Sequence, residues 1–210
     1  MTGTPITLTT EDADKLLYEL LHQKGSWKKH IQGIRNHCIA LLMLDAGLRV
    51  GEVVGQTISN LYFLNESRYS LLVSSSLSHG SADRTIPLTQ RIRKAIEAMQ
   101  VHLWSQTGKV GLDYAFTSNY RTGLLTTRQV ERIIRKAAMM SLGRPVHPHA
   151  LRHTFASRVM RTTNIRIVQE LLGHKHLSST QIYTHPNQED LKNAIESLDR
   201  NQPNNDVTES

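Results

Sequence analysis

Residues 35 to 46, with the sequence RNHCIALLMLDA, place apolar side chains on nearly every side of a helix. A helix that is apolar all round needs other elements to cover it, so this one is expected at the centre of the fold. Gly47 follows directly, and glycine is the residue that most often ends a helix in the left-handed conformation. We therefore predict a buried central helix, capped by Gly47, with the rest of the 210-residue chain packed around it.

The rest of the chain predicts further helices and one β-hairpin. Residues 24 to 33 are interpreted as a connection before the central helix, and residues 68 to 89 show two β-prone stretches around a turn rich in Ser, Gly and Asp. Pro87 suits the end of an edge strand in that hairpin. Helical periodicity occurs in the following segments: 7–23, 90–106, 126–140, 148–160, 164–174, 178–185 and 188–198.

The distribution of charge favours a polyanionic partner. The first 185 residues carry 23 Lys and Arg against 12 Asp and Glu, whereas residues 186 to 210 hold six acids and two bases. So basic a body is typical of proteins that bind nucleic acid, although charge that only keeps an ordinary surface soluble gives the same composition.

The chain also has features of a protein from a reducing compartment. Its single cysteine, Cys38, excludes an intramolecular disulfide. No apolar stretch reaches membrane-spanning length, and the first residues lack the basic start and apolar centre of a signal peptide. We expect a cytoplasmic protein without membrane contacts.

The sequence HPHALRH, residues 147 to 153, predicts an anion site on a helix. Pro148 suits the first turn, and helical spacing puts His149, Arg152 and His153 on one face, opposite an apolar face that anchors the helix. Donors beside the positive end of a helix dipole attract anions, whereas Arg152 would repel a metal cation. His153 and His147 could each instead be a partly buried histidine held by backbone hydrogen bonds.

Two more segments add residues of the same chemistry. Arg49 lies at a tight turn between two helices, and Glu52, three residues later, either orients its guanidinium or solvates the first turn of the next helix. His174 follows a glycine that ends a helix, and Tyr183 lies nine residues further on. Alone, Tyr183 would be interpreted as an ordinary amphipathic residue. Beside arginines and histidines it is a candidate nucleophile.

In this order the residues resemble the catalytic domain of the tyrosine recombinase, or phage integrase, family, and most closely its Xer-like branch. The resemblance rests on GLRVGEVVGQTISNL, RTIPL, HPHALRHTFAS and LLGHKHLSSTQIYTH, and extends from about Leu8 to His185. It implies an α+β, mainly helical fold with a small antiparallel β-sheet, and a DNA-cleaving enzyme that needs neither a metal nor a nucleotide cofactor.

The resemblance assigns a role to each matching residue. Arg49 and Arg152 would hold the non-bridging oxygens of the scissile phosphate, and His174 would donate a hydrogen bond to the same phosphate. His149 would accept a proton or bind the phosphate. Tyr183 would attack the phosphorus, form a 3′-phosphotyrosyl link and release a 5′-hydroxyl that attacks the partner strand.

One departure from the family concerns the hairpin. The family usually places a lysine there to protonate the leaving 5′-oxygen, but SLSHGSADRTIPL contains none. Counting back from Arg84 and Pro87 puts His79 at that position, where it is a candidate general acid. The alternative is an impaired site, in a DNA-binding regulatory module that keeps the fold.

The second departure concerns size. Residues 1 to 185 match the catalytic domain, and we expect no N-terminal core-binding domain before it. Residues 186 to 200 are expected to form a helix that docks either on a neighbouring subunit or on its own domain, and 201 to 210 a disordered tail. More of the DNA contact would then depend on basic residues, namely Lys24, Lys28, Lys29 and Arg35.

The expected partner is double-stranded DNA, bound by a homo-oligomer, a tetramer on DNA, with a monomer possible in solution. Three other functions compete with recombination. A type IB topoisomerase shares the chemistry but lacks these Xer-like motifs, the regulatory module is supported by the missing lysine, and a metallohydrolase would have to use the histidines.

Overall fold

The computed structural model describes residues 7–77, 82–118 and 123–174. The helices in chain order are α1 (Thr10–Leu21), α2 (Trp27–Leu44), α3 (Val50–Val54), α4 (Ile58–Leu61), α5 (Gln90–Met99), α6 (Ser105–Thr107), α7 (Thr127–Leu142), α8 (Pro148–Met160) and α9 (Ile165–Leu172). The strands are β1 (Tyr62–Phe63), β2 (Glu66–Ser67), β3 (Ser70–Val73) and β4 (Arg84–Pro87). A 3-10 helix covers Ser75–Leu77, and a π-helical turn, Gln100–Trp104, joins α5 to α6.

The prediction of a central helix is confirmed. Every residue of α2 from Cys38 to Leu44 is buried, and α1, α5, α7 and α8 all pack against it. Removing so much apolar surface from water is the main stabilising contribution that one helix can make. The carboxyl end of α2 is thus buried, just before the turn at Gly47.

The start of α2 differs from the prediction. Residues 24 to 33 were expected to form a connection, but the helix already begins at Trp27. Gly33, expected in the connection, lies inside α2 and lets α1 and α2 approach closely. A Cβ atom at Gly33 would collide with the carbonyl oxygen of Leu21. The first turn of α2 is exposed, and burial in this helix begins at Ile31.

The predicted cap at Gly47 is wrong in detail. The helix ends at Leu44 and its cap residue is Asp45, whereas Gly47 lies two residues later with a left-handed φ of 65°. A Cβ atom at Gly47 would overlap the ring of Phe155 in α8. Glycine is therefore needed here both for its backbone conformation and for the close approach of α8.

The predicted hairpin is confirmed as β3 and β4, which pair antiparallel with Leu71 opposite Ile86 and Val73 opposite Arg84. Pro87 is the last residue of its strand, as expected. Strands β1 and β2 form a second antiparallel pair. The mainly helical α+β class is thus confirmed, with two small two-stranded sheets among the described residues.

Side-chain caps start several of the predicted helices. Thr9 accepts from the backbone N–H of Asp12, Thr126 from that of Gln129, and Asn164 from that of Ile167. Pro148 occupies the first turn of α8. The predicted helices at 178–185 and 188–198 and the tail lie outside the described residues. In the described part of the chain, no helix combines the length and apolar character needed to cross a membrane.

Candidate active site

Glu52 is the centre of a buried ionic cluster. Its side chain, in α3, is completely buried, and its carboxylate accepts hydrogen bonds from both terminal nitrogens of Arg84, at 3.0 and 2.8 Å. The backbone N–H and the Nη1 of Arg49 donate to it at 2.7 and 3.2 Å. Nη1 of Arg152 lies 3.7 Å from the same carboxylate. Three guanidinium groups therefore surround one carboxylate.

The arginines set the ionisation state of Glu52. Burial alone would raise the pKa of this carboxyl, because a charge is costly away from water. The hydrogen bonds and charge of Arg84, the backbone N–H of Arg49 and the charge of Arg152 outweigh burial, so the pKa lies below its ordinary value. Glu52 is ionised at neutral pH, and the cluster carries a net positive charge.

Arg49 and Arg152 differ in exposure and in the groups that hold them. Arg49 is the residue before α3, and 24% of its side chain remains exposed. Arg152, in α8, is buried, and it donates to the carbonyl oxygens of Gly47 and Leu172. Both interpretations of Glu52 fit, since its carboxylate accepts from the backbone N–H of Arg49 at the start of α3 and from the guanidinium of the same residue.

The sequence suggested that the helical face carrying Arg152 is open for binding. In the structure this face is largely covered. Arg152 and Ala156 are both buried, because α9 packs against this side of α8 and presents the carbonyl of Leu172 to Arg152. A helical wheel distinguishes apolar from polar residues, but it does not show which face another helix covers. Of the expected working face, only His149 is exposed.

His174 contacts Arg152 at the end of α9. Its Nε2 lies 3.2 Å from Nη2 of Arg152. Because arginine only donates, Nε2 is the acceptor and the proton of the neutral ring is on Nδ1. Burial, followed by the charges of Arg152, Arg49, Arg84 and His153, lowers the pKa of His174 to about 4. The ring is therefore neutral at pH 7 and carries one N–H.

His149 and His153 lie one helical turn apart on α8. Their ring centroids are 6.4 Å apart. His149 is exposed, whereas His153 is partly buried, and its pKa is lowered by burial, by His149 and by Arg152. His147 is exposed at the start of α8 and provides no side-chain cap.

The sequence analysis missed Arg84 as a member of this cluster. The side chain is only 2% exposed, and its Nε donates 2.8 Å to the carbonyl of Leu171. One signal was available. In β4 the buried positions alternate, and Arg84 occupies the same inward register as Ile86. A charged residue at an inward strand position needs a buried counter-charge, which is Glu52.

The predicted DNA-contact residues divide into two groups. Lys24, Lys28 and Lys29 are exposed at the amino end of α2, next to Trp27, whose side chain is 60% exposed. Arg35 is instead 7% exposed, and its Nη1 donates 2.7 Å to the carbonyl of Thr117. The structure thus puts Arg35 in the interior, where it holds the segment before α7, because the side of α2 from which it projects is covered.

Three further predictions fall outside the described residues: His79, Tyr183 and the segment 186–200. Within the described ranges, no group of three or more His, Cys, Asp and Glu side chains is placed to hold a metal ion.

Comparison with known sequences gives a family-model match and several similar recombinases. The family model described as Phage integrase family matches residues 7–190. A tyrosine recombinase XerC from Thermodesulfovibrio yellowstonii is 33% identical over 204 residues, which cover 95% of this chain and 63% of the relative. A tyrosine recombinase XerA from Pyrococcus furiosus is 35% identical over 195 residues, covering 91% of this chain and 61% of the relative.

Solved structures agree with the sequence comparisons. A crystal structure of XerA recombinase superposes with a TM-score of 0.72 at 28% identity and covers 96% of this chain and 68% of that one. XerH recombinase bound to its difH substrate, in a pre-cleavage complex, has a TM-score of 0.66 at 25% identity, covering 94% and 55%. The chain spans 54% to 63% of the length of these curated relatives and of a Pseudothermotoga lettingae tyrosine recombinase.

Proposed function

The chain belongs to the phage integrase family, and we propose that it is a site-specific recombinase that cleaves and rejoins double-stranded DNA through a 3′-phosphotyrosyl intermediate. The observation that carries the proposal is the convergence of Arg49, Arg152 and His174 beside one buried carboxylate. Such a cluster has the charge and the donors to bind a phosphodiester and to stabilise the extra negative charge of its transition state.

The proposed division of labour follows from exposure and protonation. Arg49, the most exposed guanidinium of the cluster, contacts a non-bridging oxygen directly, while Arg152 provides a fixed charge behind it. Neutral His174 donates its Nδ1–H to the same phosphate. His149 is the exposed base that accepts the proton of the attacking hydroxyl.

In the proposed step, the Tyr183 oxygen bonds to phosphorus as its proton passes to His149. The bond from phosphorus to the 5′-oxygen breaks, and that oxygen takes a proton from His79. Rejoining reverses the step with a 5′-hydroxyl from the partner strand, so the energy of the broken phosphodiester is kept in the phosphotyrosyl bond.

The partner is proposed to be duplex DNA, held as a tetramer. Solved relatives include XerH bound to difH substrate and a Tn1549 transposon integrase bound to circular-intermediate DNA. In this chain, Lys24, Lys28 and Lys29 would contact phosphates, and residues 186–200 would link neighbouring subunits.

The test is capture of the covalent intermediate. The probe is a library of duplexes with random flanks around one linkage whose bridging 5′-oxygen is replaced by sulfur. The released 5′-thiol is a poor nucleophile for rejoining, so a covalent complex should accumulate on denaturing gels without added metal. Tyr183→Phe is expected to abolish it. A complex that persists in this variant would contradict the nucleophile, and its absence from wild type would favour the regulatory module.

The same probe tests His79. A thiolate leaves without protonation, so a general acid is needed for the oxygen substrate only. His79→Ala is expected to cleave the natural linkage slowly and the sulfur linkage at the wild-type rate. Equal rates for the variant and the wild-type protein on the natural linkage would remove His79 from the mechanism.

A further inference from the structure

We propose that Arg84 is a positioning residue that binds Glu52 and thereby keeps Arg49 and Arg152 available for the phosphate. The proposal rests on the recombinase reaction proposed above, to which it adds a residue outside the matching catalytic set. Arg84 touches no substrate atom in this scheme and acts through its neighbours.

The geometry ranks the three arginines around Glu52. Arg84 makes a two-pronged contact with Glu52, with Nη1 on Oε1 at 3.0 Å and Nη2 on Oε2 at 2.8 Å. Arg49 makes one longer side-chain contact, at 3.2 Å, and Arg152 stays at 3.7 Å. A forked guanidinium–carboxylate pair is the strongest of these arrangements, so the charge of Glu52 is used mainly by Arg84.

The role of Arg84 follows from how the charge of Glu52 is compensated. With Arg84 in place, Glu52 is neutralised, so the charge of the partly exposed Arg49, with the charge of the buried Arg152 behind it, can act on an incoming phosphate. Without Arg84, the buried carboxylate needs another partner, because an unpaired buried charge is strongly disfavoured. The nearest cations are Arg49 and Arg152, so Glu52 would compete with the phosphate for both.

Arg84 also joins the hairpin to the end of α9. Its Nε donates 2.8 Å to the carbonyl of Leu171, and the backbone N–H of Ala82 donates 3.3 Å to the carbonyl of Gly173. A Cβ atom at Gly173 would lie 3.0 Å from Cδ and Nη1 of Arg84, so glycine leaves room for this side chain. Arg84 therefore fixes the turn from which His174 projects.

The experiment is a double-mutant cycle with Arg84→Met, Glu52→Gln and the two combined. Arg84→Met is expected to slow single-turnover cleavage of the sulfur-containing duplex library about 100-fold, the size seen when one transition-state donor is lost. Adding Glu52→Gln removes the competing carboxylate, so the combined variant is expected to cleave at least tenfold faster than Arg84→Met alone. A combined variant as slow as Arg84→Met, or slower, would overturn the proposal.

A second readout is independent of cleavage. Inorganic sulfate, compared with chloride at equal ionic strength, should raise the melting temperature of wild type, because a bound anion stabilises the folded state. Arg84→Met should lose this response and the combined variant should recover it. A full response in Arg84→Met would overturn the proposal, even if wild type formed no covalent complex. If wild type formed no covalent complex but the sulfate responses were as expected, only the recombinase function would be rejected.

Two further variants separate positioning from general damage. Arg84→Lys keeps the charge without the fork, and is expected to keep the sulfate response while cleaving at a rate between those of wild type and Arg84→Met. Arg144→Met removes an arginine that pairs with Asp12 at 2.6 Å, between α7 and α1. It should cleave and respond to sulfate as wild type does. A loss in Arg144→Met equal to that in Arg84→Met would point to nonspecific damage and overturn the proposal.

Discussion

The candidate active site and the amino end of α2 are both basic, yet they differ in how their charges are held. In the site, Arg84 and Arg152 are buried and bonded to groups from distant segments, namely Glu52, Gly47, Leu171 and Leu172. At the amino end of α2, Lys28 and Lys29 are exposed on the first turn of one helix. Fixed charges suit stabilisation of a transition state, whereas exposed lysines suit phosphate contacts that need no exact geometry.

Arg152→Ala should reduce cleavage more than any other substitution considered below. It removes a charge held beside His174 and leaves the carbonyls of Gly47 and Leu172 without this donor. We expect single-turnover cleavage to fall roughly 10³-fold, since arginines that stabilise phosphoryl transfer have effects of that order. A variant that is folded by circular dichroism and cleaves within tenfold of wild type would show that the charge is not used.

Glu52→Gln tests how far the buried cluster stabilises the fold. Removing one partner of a buried pair leaves uncompensated charge and costs about 3–5 kcal/mol. The measurement is urea unfolding, with Glu11→Gln as the control, because the Glu11–Lys15 pair is exposed on α1 and should change little. Equal losses of unfolding free energy in the two variants would contradict the expected difference between buried and exposed charges.

The pH dependence of stability should report His174. Its folded pKa of about 4 lies below the ordinary value of 6.5, so the unfolded chain binds more protons between these values. Stability is therefore fully present above about pH 6.5 and is lost as the pH falls toward 4. His174→Gln should flatten this part of a melting-temperature profile, although His37 and His153, whose pKa values are also lowered, leave some slope. An unchanged profile would contradict the burial of His174.

The smallest effect is expected at the amino end of α2. Lys28→Ala or Lys29→Ala should weaken DNA binding several-fold, and each lost phosphate contact should reduce the slope of log K against log salt by about 0.9. Filter binding across a salt series measures both quantities. A slower cleavage step at saturating DNA would show that these lysines do more than hold the phosphate backbone.

Much of the fold was predictable because it depends on local patterns. The apolar run before Gly47 predicted a central helix, and helical periodicity predicted α1, α5, α7, α8 and α9. The start of α2 was missed, because residues 24 to 33 were interpreted as a connection, whereas Gly33 lies in the helix and packs against Leu21.

Of the candidate site, the sequence proposed which residues belong to it but not how they are arranged. The order of Arg49, His149, Arg152, His174 and Tyr183 led to the proposed chemistry before any geometry was known. That order did not show that Arg152 is buried or which ring nitrogen of His174 carries the proton, because both depend on the packing of α9 against α8.

The sequence by itself thus determined the family, the central helix and the residue types of the site, because these depend on short-range spacing and on motifs. Only the tertiary structure decided which charges meet. Arg84 pairs with Glu52, 32 positions away, and Arg35 donates to Thr117, 82 positions away. The free energy of a buried charge depends on the groups that surround it in space, and these come from segments whose contacts the local sequence does not specify.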